Sequence, residues 1–295
     1  MPVFSKNIQP IFLWLVILVL SGAEFRLNQW EGLLIMFAAL ELVPRGLRLL
    51  DLEHQDWYAI VPVGLCAAYL FPGFWFLALP YLLWAIWLTL KVGSEIVFLK
   101  KRKLLDLVRV FALGYWATGA TFVVFYLADF SLLGFDPVIV SLTGAHFHLA
   151  GFVLSVLVYC LMEKRPGKTS TALGWASLFG MPLVAIGITS SKLGLPTMLE
   201  QISALMFSLF VLMVLSQQIS MFFNSSFSKT ARWLWLGGAT SMLIGIGLAV
   251  LYAARFQIPM EWINIPNMKL WHGTLNTLGF GWLSLLGWEL TRNKA

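Results

Sequence analysis

SLTGAHFHLAGFVLSVLVYC, residues 141–160, contains no Asp, Glu, Lys or Arg, yet carries His146 and His148 one residue apart. As a helix rising 1.5 Å per residue, such a stretch spans about 30 Å, the thickness of a bilayer's hydrocarbon core. The rest of the chain has the same character. Hydrophobic residues make up 59% of it and charged residues 12%, against about 25% charged in ordinary globular domains. The mean hydropathy is +0.82. These values predict an all-α fold, a polytopic transmembrane helix bundle in which residues 1–295 form a single integral membrane domain.

Apolar runs separated by charged or Pro/Gly-rich breaks place about ten spans, at 9–22, 30–50, 57–71, 74–90, 107–128, 137–161, 172–190, 200–223, 231–254 and 266–290. The third and fourth are separated by FPGF at 71–74, a Pro-Gly turn signal. Glu31, Glu41, Arg45 and Arg48 make the second the least apolar. If successive connections alternate sides, 16 of the 20 basic residues fall on one side, including the KKRK of 100–103. Arg26, Lys192, Arg255 and Lys269 fall on the other. The positive-inside rule then makes both termini cytoplasmic in a bacterial inner membrane, with the bilayer as first partner. The net charge of +6 is explained by this topology, so no nucleic acid is expected to bind. The first span also resembles a signal peptide ending near SGA at 21–23, and we read it as retained. Cys66 and Cys160 lie in apolar segments without metal-type spacing and read as buried thiols.

Three of the four histidines fall in spans. His54, in LDLEHQDW, reads as a solvated loop residue. Counting from Pro137 and Pro266 at the starts of their helices, His146, His148 and His272 all fall in the outer half of the membrane. Side chains two apart on a regular helix point about 200° from each other, so His146 and His148 face opposite ways instead of chelating one ion. Thr143 and Asn276 are at hand as hydrogen-bond partners. Ionisable groups inside a membrane are functional candidates by default.

LTGAHFHLAGF at 142–152, WHGTLNTLGFGW at 271–282 and ELVPRGLRLL at 41–50 together resemble the YndJ-like family of bacterial membrane proteins. That resemblance implies a polytopic membrane domain and no particular chemistry. Locally, AHFHLAGFVLS is similar to the helix of haem-copper oxidase subunit I whose two histidines each serve one haem. HGTLNTLGFGW is loosely similar to that family's His-Gly helix. The resemblance implies that His146 matches a high-spin haem ligand, and that His148 and His272 match the two ligands of a low-spin haem. The copper-binding histidines of those oxidases have no counterpart here, and the two motifs occur in reversed order, so oxygen reduction is not implied. What remains is a b-type haem between two imidazoles, or a transition metal on His146, His148, His272 and Asn276.

Glu41 and Arg45, four apart, are expected to pair on one helix face near the cytoplasmic end. They would serve as a snorkelling anchor or as a pocket for a substrate or lipid headgroup. Trp30, Trp57, Trp233 and Trp271 read as interface belt residues. Pro182 is placed to kink the seventh span. No Gly-rich phosphate loop, Ser-His-Asp set or carboxylate cluster argues for a hydrolase, and neither enzymatic activity nor oligomeric state is fixed by the sequence. Three functions stay open: a haem- or metal-binding redox protein, a small-solute or proton-coupled transporter lined by the same histidines, and an accessory protein whose histidines only join helices.

Overall fold

The computed structural model describes residues 8–52, 60–99 and 103–292. Among these, all regular structure is helical. In chain order the helices are α1 (Ile8–Leu20), the short α2 (Ala23–Asn28), α3 (30–49), α4 (Val61–Leu70), α5 (Trp75–Val97), α6 (Leu104–Leu127), α7 (Pro137–Lys164), α8 (Lys168–Lys192), α9 (Met198–Phe222), α10 (Lys229–Phe256) and α11 (265–292). His54, Trp57 and the first three residues of KKRK lie outside the described residues.

Six of these helices, α5 to α10, are long and apolar enough to cross a membrane. α1 and α4 are shorter apolar helices, while α3 and α11 are of crossing length but carry charges. Between α4 and α5 the chain turns through FPGF, where Gly73 adopts φ +93°, a conformation that a side chain would strain. Pro182 sits inside α8 and the helix continues past it to Lys192.

Leucine, isoleucine and phenylalanine side chains cover the outer faces of the peripheral helices, among them Leu83, Leu90, Phe179, Ile186, Leu205 and Ile244. Apolar exposure over so many helices suits lipid, where the driving force for burial in water does not apply. The interior is built on α3 and α7. Every residue of α3 from Glu31 to Val43 is buried, and α7 is the most enclosed of the apolar helices, with 72% of its apolar window buried. α7 packs on α3 and α6, and α11 packs on α10 and α3.

Glycines set how closely these helices meet. A Cβ on Gly144 of α7 would lie 2.9 Å from Val123 Cγ2 of α6, and one on Gly119 of α6 would lie 3.1 Å from Gly144 O. Gly281 of α11 faces Leu42 of α3 and Val153 of α7, which marks the place where the three inner helices converge.

α3 and α11 run parallel. The hydrogen bonds joining residues 28–51 to α11 link positions 241 or 244 apart along their whole length. A constant offset arises only when two helices point the same way. α7 shares that direction: His146 lies beside His272 near one end, and Glu163 binds Arg292 at the other. Each of the three contains widened, π-helical turns, at Ala38–Leu42, Phe147–Val153, Met268–His272 and Leu275–Trp282. Such turns are frequent at functional positions, where the extra residue re-aims a side chain at the expense of regular hydrogen bonding.

Candidate functional site

The widened turns of α7 and α11 carry His148 and His272, His146 comes just before the one in α7, and hydrogen bonding fixes each ring. A carbonyl can only accept, so a ring nitrogen facing one must carry the proton. His146 Nδ1 donates to Leu142 O at 2.7 Å. His148 Nδ1 donates to Gly144 O at 2.7 Å. His272 Nδ1 donates across to Gly245 O of α10 at 2.9 Å. A charged ring is costly inside a membrane, so each is neutral with a lone pair on Nε2, and the three lone pairs meet different fates. His148 Nε2 accepts from the Tyr81 hydroxyl of α5 at 2.9 Å. His272 Nε2 accepts from the Asn276 amide at 2.9 Å. His146 Nε2 has no hydrogen-bond partner among the described residues, and its ring lies 6.5 Å from that of His272.

His146 and His148 thus face opposite sides of α7, as helical angle requires. His146 looks toward α11. His148, fully buried, looks toward α5 and α6, stacked on Tyr81 at 5.8 Å between centroids. Tyr81 was not singled out in the sequence, where it is one aromatic among many. Asn276 does hold His272, but the Thr143 hydroxyl donates to Ile139 O within its own helix at 2.8 Å.

This arrangement does not fit a haem. The resemblance pairs His148 with His272, whereas the structure sets His272 beside His146 and sends His148 to the other face. Two facing imidazole lone pairs are needed to hold an iron axially, and the lone pairs of His148 and His272 are both taken. The donor set for a transition metal is equally unfavourable, because Asn276 presents its amide N–H to His272 where a ligating oxygen would be needed. Among the described residues no group of three His, Cys, Asp or Glu side chains is placed to hold a metal ion. Cys66 and Cys160 are free and buried.

Further along the same three helices lies a chain of charges. Arg45 is 2% exposed and Glu41 3%, so neither snorkels to an interface, contrary to the anchor expected from their position. Arg45 Nε donates to Glu41 Oε1 at 2.7 Å, and its guanidinium also binds Glu289 of α11. Trp282 Nε1 donates to Glu41 at 3.0 Å, and Arg48 Nε donates to Glu289 at 2.8 Å. At the end of the helices, Arg292 binds Asp51 at 2.8 Å and Glu163 at 2.6 Å. At the opposite end Lys269 pairs with Glu31 at 2.8 Å, and Trp30 Nε1 donates to Thr274 at 2.9 Å.

From Lys269 to Glu289, about 30 Å at 1.5 Å per residue, polar groups recur along α11 at successive levels, with His272 and Asn276 leaning on Gly245 of α10. Glu31 and Lys269 come first, then His146, His272 and Asn276, then Glu41 with Trp282, then Arg45, Arg48 and Glu289. Glu289, the partner that makes sense of Arg45, went unnoticed in the sequence. Its signal was a carboxylate seven residues after Trp282 in an otherwise apolar span.

A chain whose described structure is all helical, with six helices long and apolar enough to cross a membrane and buried ion pairs between its inner helices, is a multi-pass membrane protein. More narrowly, it belongs to the YndJ-like family, whose model, described as YndJ-like protein, matches residues 33–280. That stretch includes Glu41, Arg45 and the three intramembrane histidines. The chain is similar to the uncharacterized membrane protein YndJ of Bacillus subtilis (strain 168), at 24% identity over 189 residues, which cover 63% of this chain and 33% of that protein. It thus spans about a third of the length of the curated relative it matches. No solved structure matches it.

Proposed function

We propose that the chain is a proton-coupled transport protein of the bacterial cytoplasmic membrane, with the α3–α7–α11 seam as its conducting element. One observation carries this reading: titratable and charged groups of α3, α7 and α11 recur at successive levels along α11 over about the full thickness of a bilayer core. Packing alone does not account for them. Charged and histidine side chains are costly in hydrocarbon, and where they occur inside a bundle they mark ion or substrate routes.

In this reading α1, α3, α4 and α11 cross along with the six long helices. Both termini are cytoplasmic, and the Arg45 end of the seam faces the cytoplasm. The parallel course of α3, α7 and α11 supports it, because the second, sixth and tenth crossings of an alternating chain must run the same way. His146 is the proton acceptor of the outer half, since its Nε2 lone pair has no other bond to give up. His272 becomes available only when Asn276 lets go of its Nε2. On the cytoplasmic side, Arg45 between Glu41 and Glu289 closes the route, and passage requires those ion pairs to exchange partners. His148 plays a structural part, because both of its nitrogens are bonded within a sealed contact.

The test is potential-driven proton uptake into vesicles reconstituted with the purified chain, with a pH-sensitive dye trapped inside and potassium and valinomycin supplying the potential. Uptake above that of protein-free vesicles is expected. Uptake equal to theirs would refute the transport reading.

A further inference from the structure

Gly245 of α10 touches both side chains that decide the state of His272. Its carbonyl accepts from His272 Nδ1 at 2.9 Å. Its α-carbon faces Asn276 so closely that a Cβ there would collide with Asn276 Oδ1. That oxygen is buried without a hydrogen-bond partner among the described residues, while the amide nitrogen beside it donates to His272 Nε2 at 2.9 Å.

The three contacts depend on one another. A carbonyl only accepts, so Gly245 O puts the proton of the neutral His272 ring on Nδ1 and leaves the lone pair on Nε2. The lone pair needs a donor, so Asn276 must turn its N–H there and its oxygen away. The oxygen then lies where a side chain on residue 245 would be, and glycine leaves that space open.

The rest of the contact between α10 and α11 keeps Gly245 at this level. Four pairs follow one another as the two chains run in opposite directions: Trp235 with Gly287, Gly238 with Ser284, Ser241 with Gly279, and Gly245 with Asn276. In each, one helix supplies a glycine and the other a side chain lodged against it, at 2.6 Å from the place of a Cβ in the first two. Gln218 of α9 ties those two together, donating to Trp235 O and Ser284 Oγ, both at 2.8 Å. Notches on both helices oppose sliding, because a shift along the axis would drive these side chains onto backbone. The step from Gly279 to Ser284 is five residues, which on a regular helix would turn the second about 140° off the shared face. The widened turn at Leu275–Trp282 absorbs the extra residue and keeps both against α10.

We propose that Gly245 is a positioning residue for His272: its carbonyl and its missing side chain hold Asn276 on Nε2, and His272 is freed to take a proton only when α10 draws away from α11. The second half rests on the transport reading above. Separation of the two helices removes the acceptor of Nδ1 and the notch for Oδ1 together, so one movement of α10 unlocks both.

Two measurements separate the halves. The chain has four histidines, so the ring nitrogens of the full chain, labelled with 15N-histidine and purified in detergent, give few NMR signals. Those of His272 are identified by their loss in His272→Gln. In wild type the His272 proton should be found on Nδ1. Asn276→Ala should move the Nε2 signal, and Gly245→Ala should move it alike, with the His148 signals unchanged as the mark of an intact fold. A His272 proton on Nε2 in wild type, or wild-type His272 signals in Gly245→Ala, overturns the proposal. Should Gly245→Ala not fold, Gly245→Ala/Asn276→Ala decides, because the new methyl takes the space the amide leaves. The double variant should fold and show the Asn276→Ala signal, and failure to fold overturns the notch. In vesicles, the double variant should raise proton uptake over wild type by about two- to tenfold, the range of one hydrogen bond lost. Uptake at or below the wild-type level overturns the gating half and leaves the transport reading intact. If the wild-type chain itself carries no protons, gating falls with the transport reading, and the ring signals still decide the placement of Asn276.

Discussion

Arg45→Met removes the one cation that lies between two carboxylates in the bundle interior. Arg45 is 2% exposed and binds Glu41, itself 3% exposed, and Glu289. Methionine keeps most of the aliphatic volume, so the main loss is electrostatic. Glu289 retains Arg48, whose side chain is 29% exposed and reaches it at 2.6 Å. Among the described residues, Glu41 retains only the Trp282 N–H at 3.0 Å. Removing one member of a buried ion pair costs about 3–5 kcal/mol, because the partner stays buried and uncompensated. At about 2–4 °C per kcal/mol, the scale for domains of 150–250 residues, that corresponds to a Tm lower by roughly 6–20 °C. The assay is tryptophan-fluorescence unfolding of the purified protein in detergent. The companion variant Arg45→Met/Glu41→Gln removes the stranded charge and leaves Glu289 with Arg48. It should recover more than half of the loss, and that recovery identifies the mechanism. An unchanged Tm in Arg45→Met would refute the buried pair, and a double variant no more stable than the single would refute the stranded charge as the cause.

Tyr81→Phe should leave His148 Nε2 without a donor in a fully buried contact, lowering stability by about 1–3 kcal/mol in the same unfolding assay. Gly119→Ala would bring a Cβ 2.6 Å from His148 Nδ1 and 3.1 Å from Gly144 O. Forcing α6 and α7 apart there should cost about 1–3 kcal/mol, read as a lower Tm. Protein produced with ample haem should show no Soret band after purification, and a stoichiometric band that shifts on dithionite reduction would overturn the ring-nitrogen assignments.

The readable parts of the chain were those with local causes. FPGF placed the turn between α4 and α5 because a Pro-Gly pair restricts its own backbone. The opposite aim of His146 and His148 follows from 100° per residue and needs no neighbour. Spacing alone likewise paired Glu41 with Arg45. What depended on distant partners was not readable. Glu289 and Lys269 meet α3 residues some 240 positions away in sequence, and a parallel register between two helices leaves no local mark. For the same reason a short likeness could not tell that Tyr81 faces His148 while His272 lies beside His146. A motif fixes which way a ring points and says nothing about which helix stands there. Tyr81 came to His148 because Gly119 and Gly144 draw α6 and α7 together, leaving that face to α5. The widened turns of α3, α7 and α11 have no sequence signature that we recognise.

In the proposed mechanism protons travel between α3, α7 and α11 and not elsewhere in the bundle. Proton uptake under an imposed potential, compared in one reconstitution series for wild type, His146→Ala and Tyr81→Phe at equal incorporation, tests it most directly. Uptake should vanish in His146→Ala, on the seam face of α7, and persist in Tyr81→Phe, on the opposite face. Uptake that persists in His146→Ala and is lost in Tyr81→Phe would place the route on the wrong side of α7 and contradict the account.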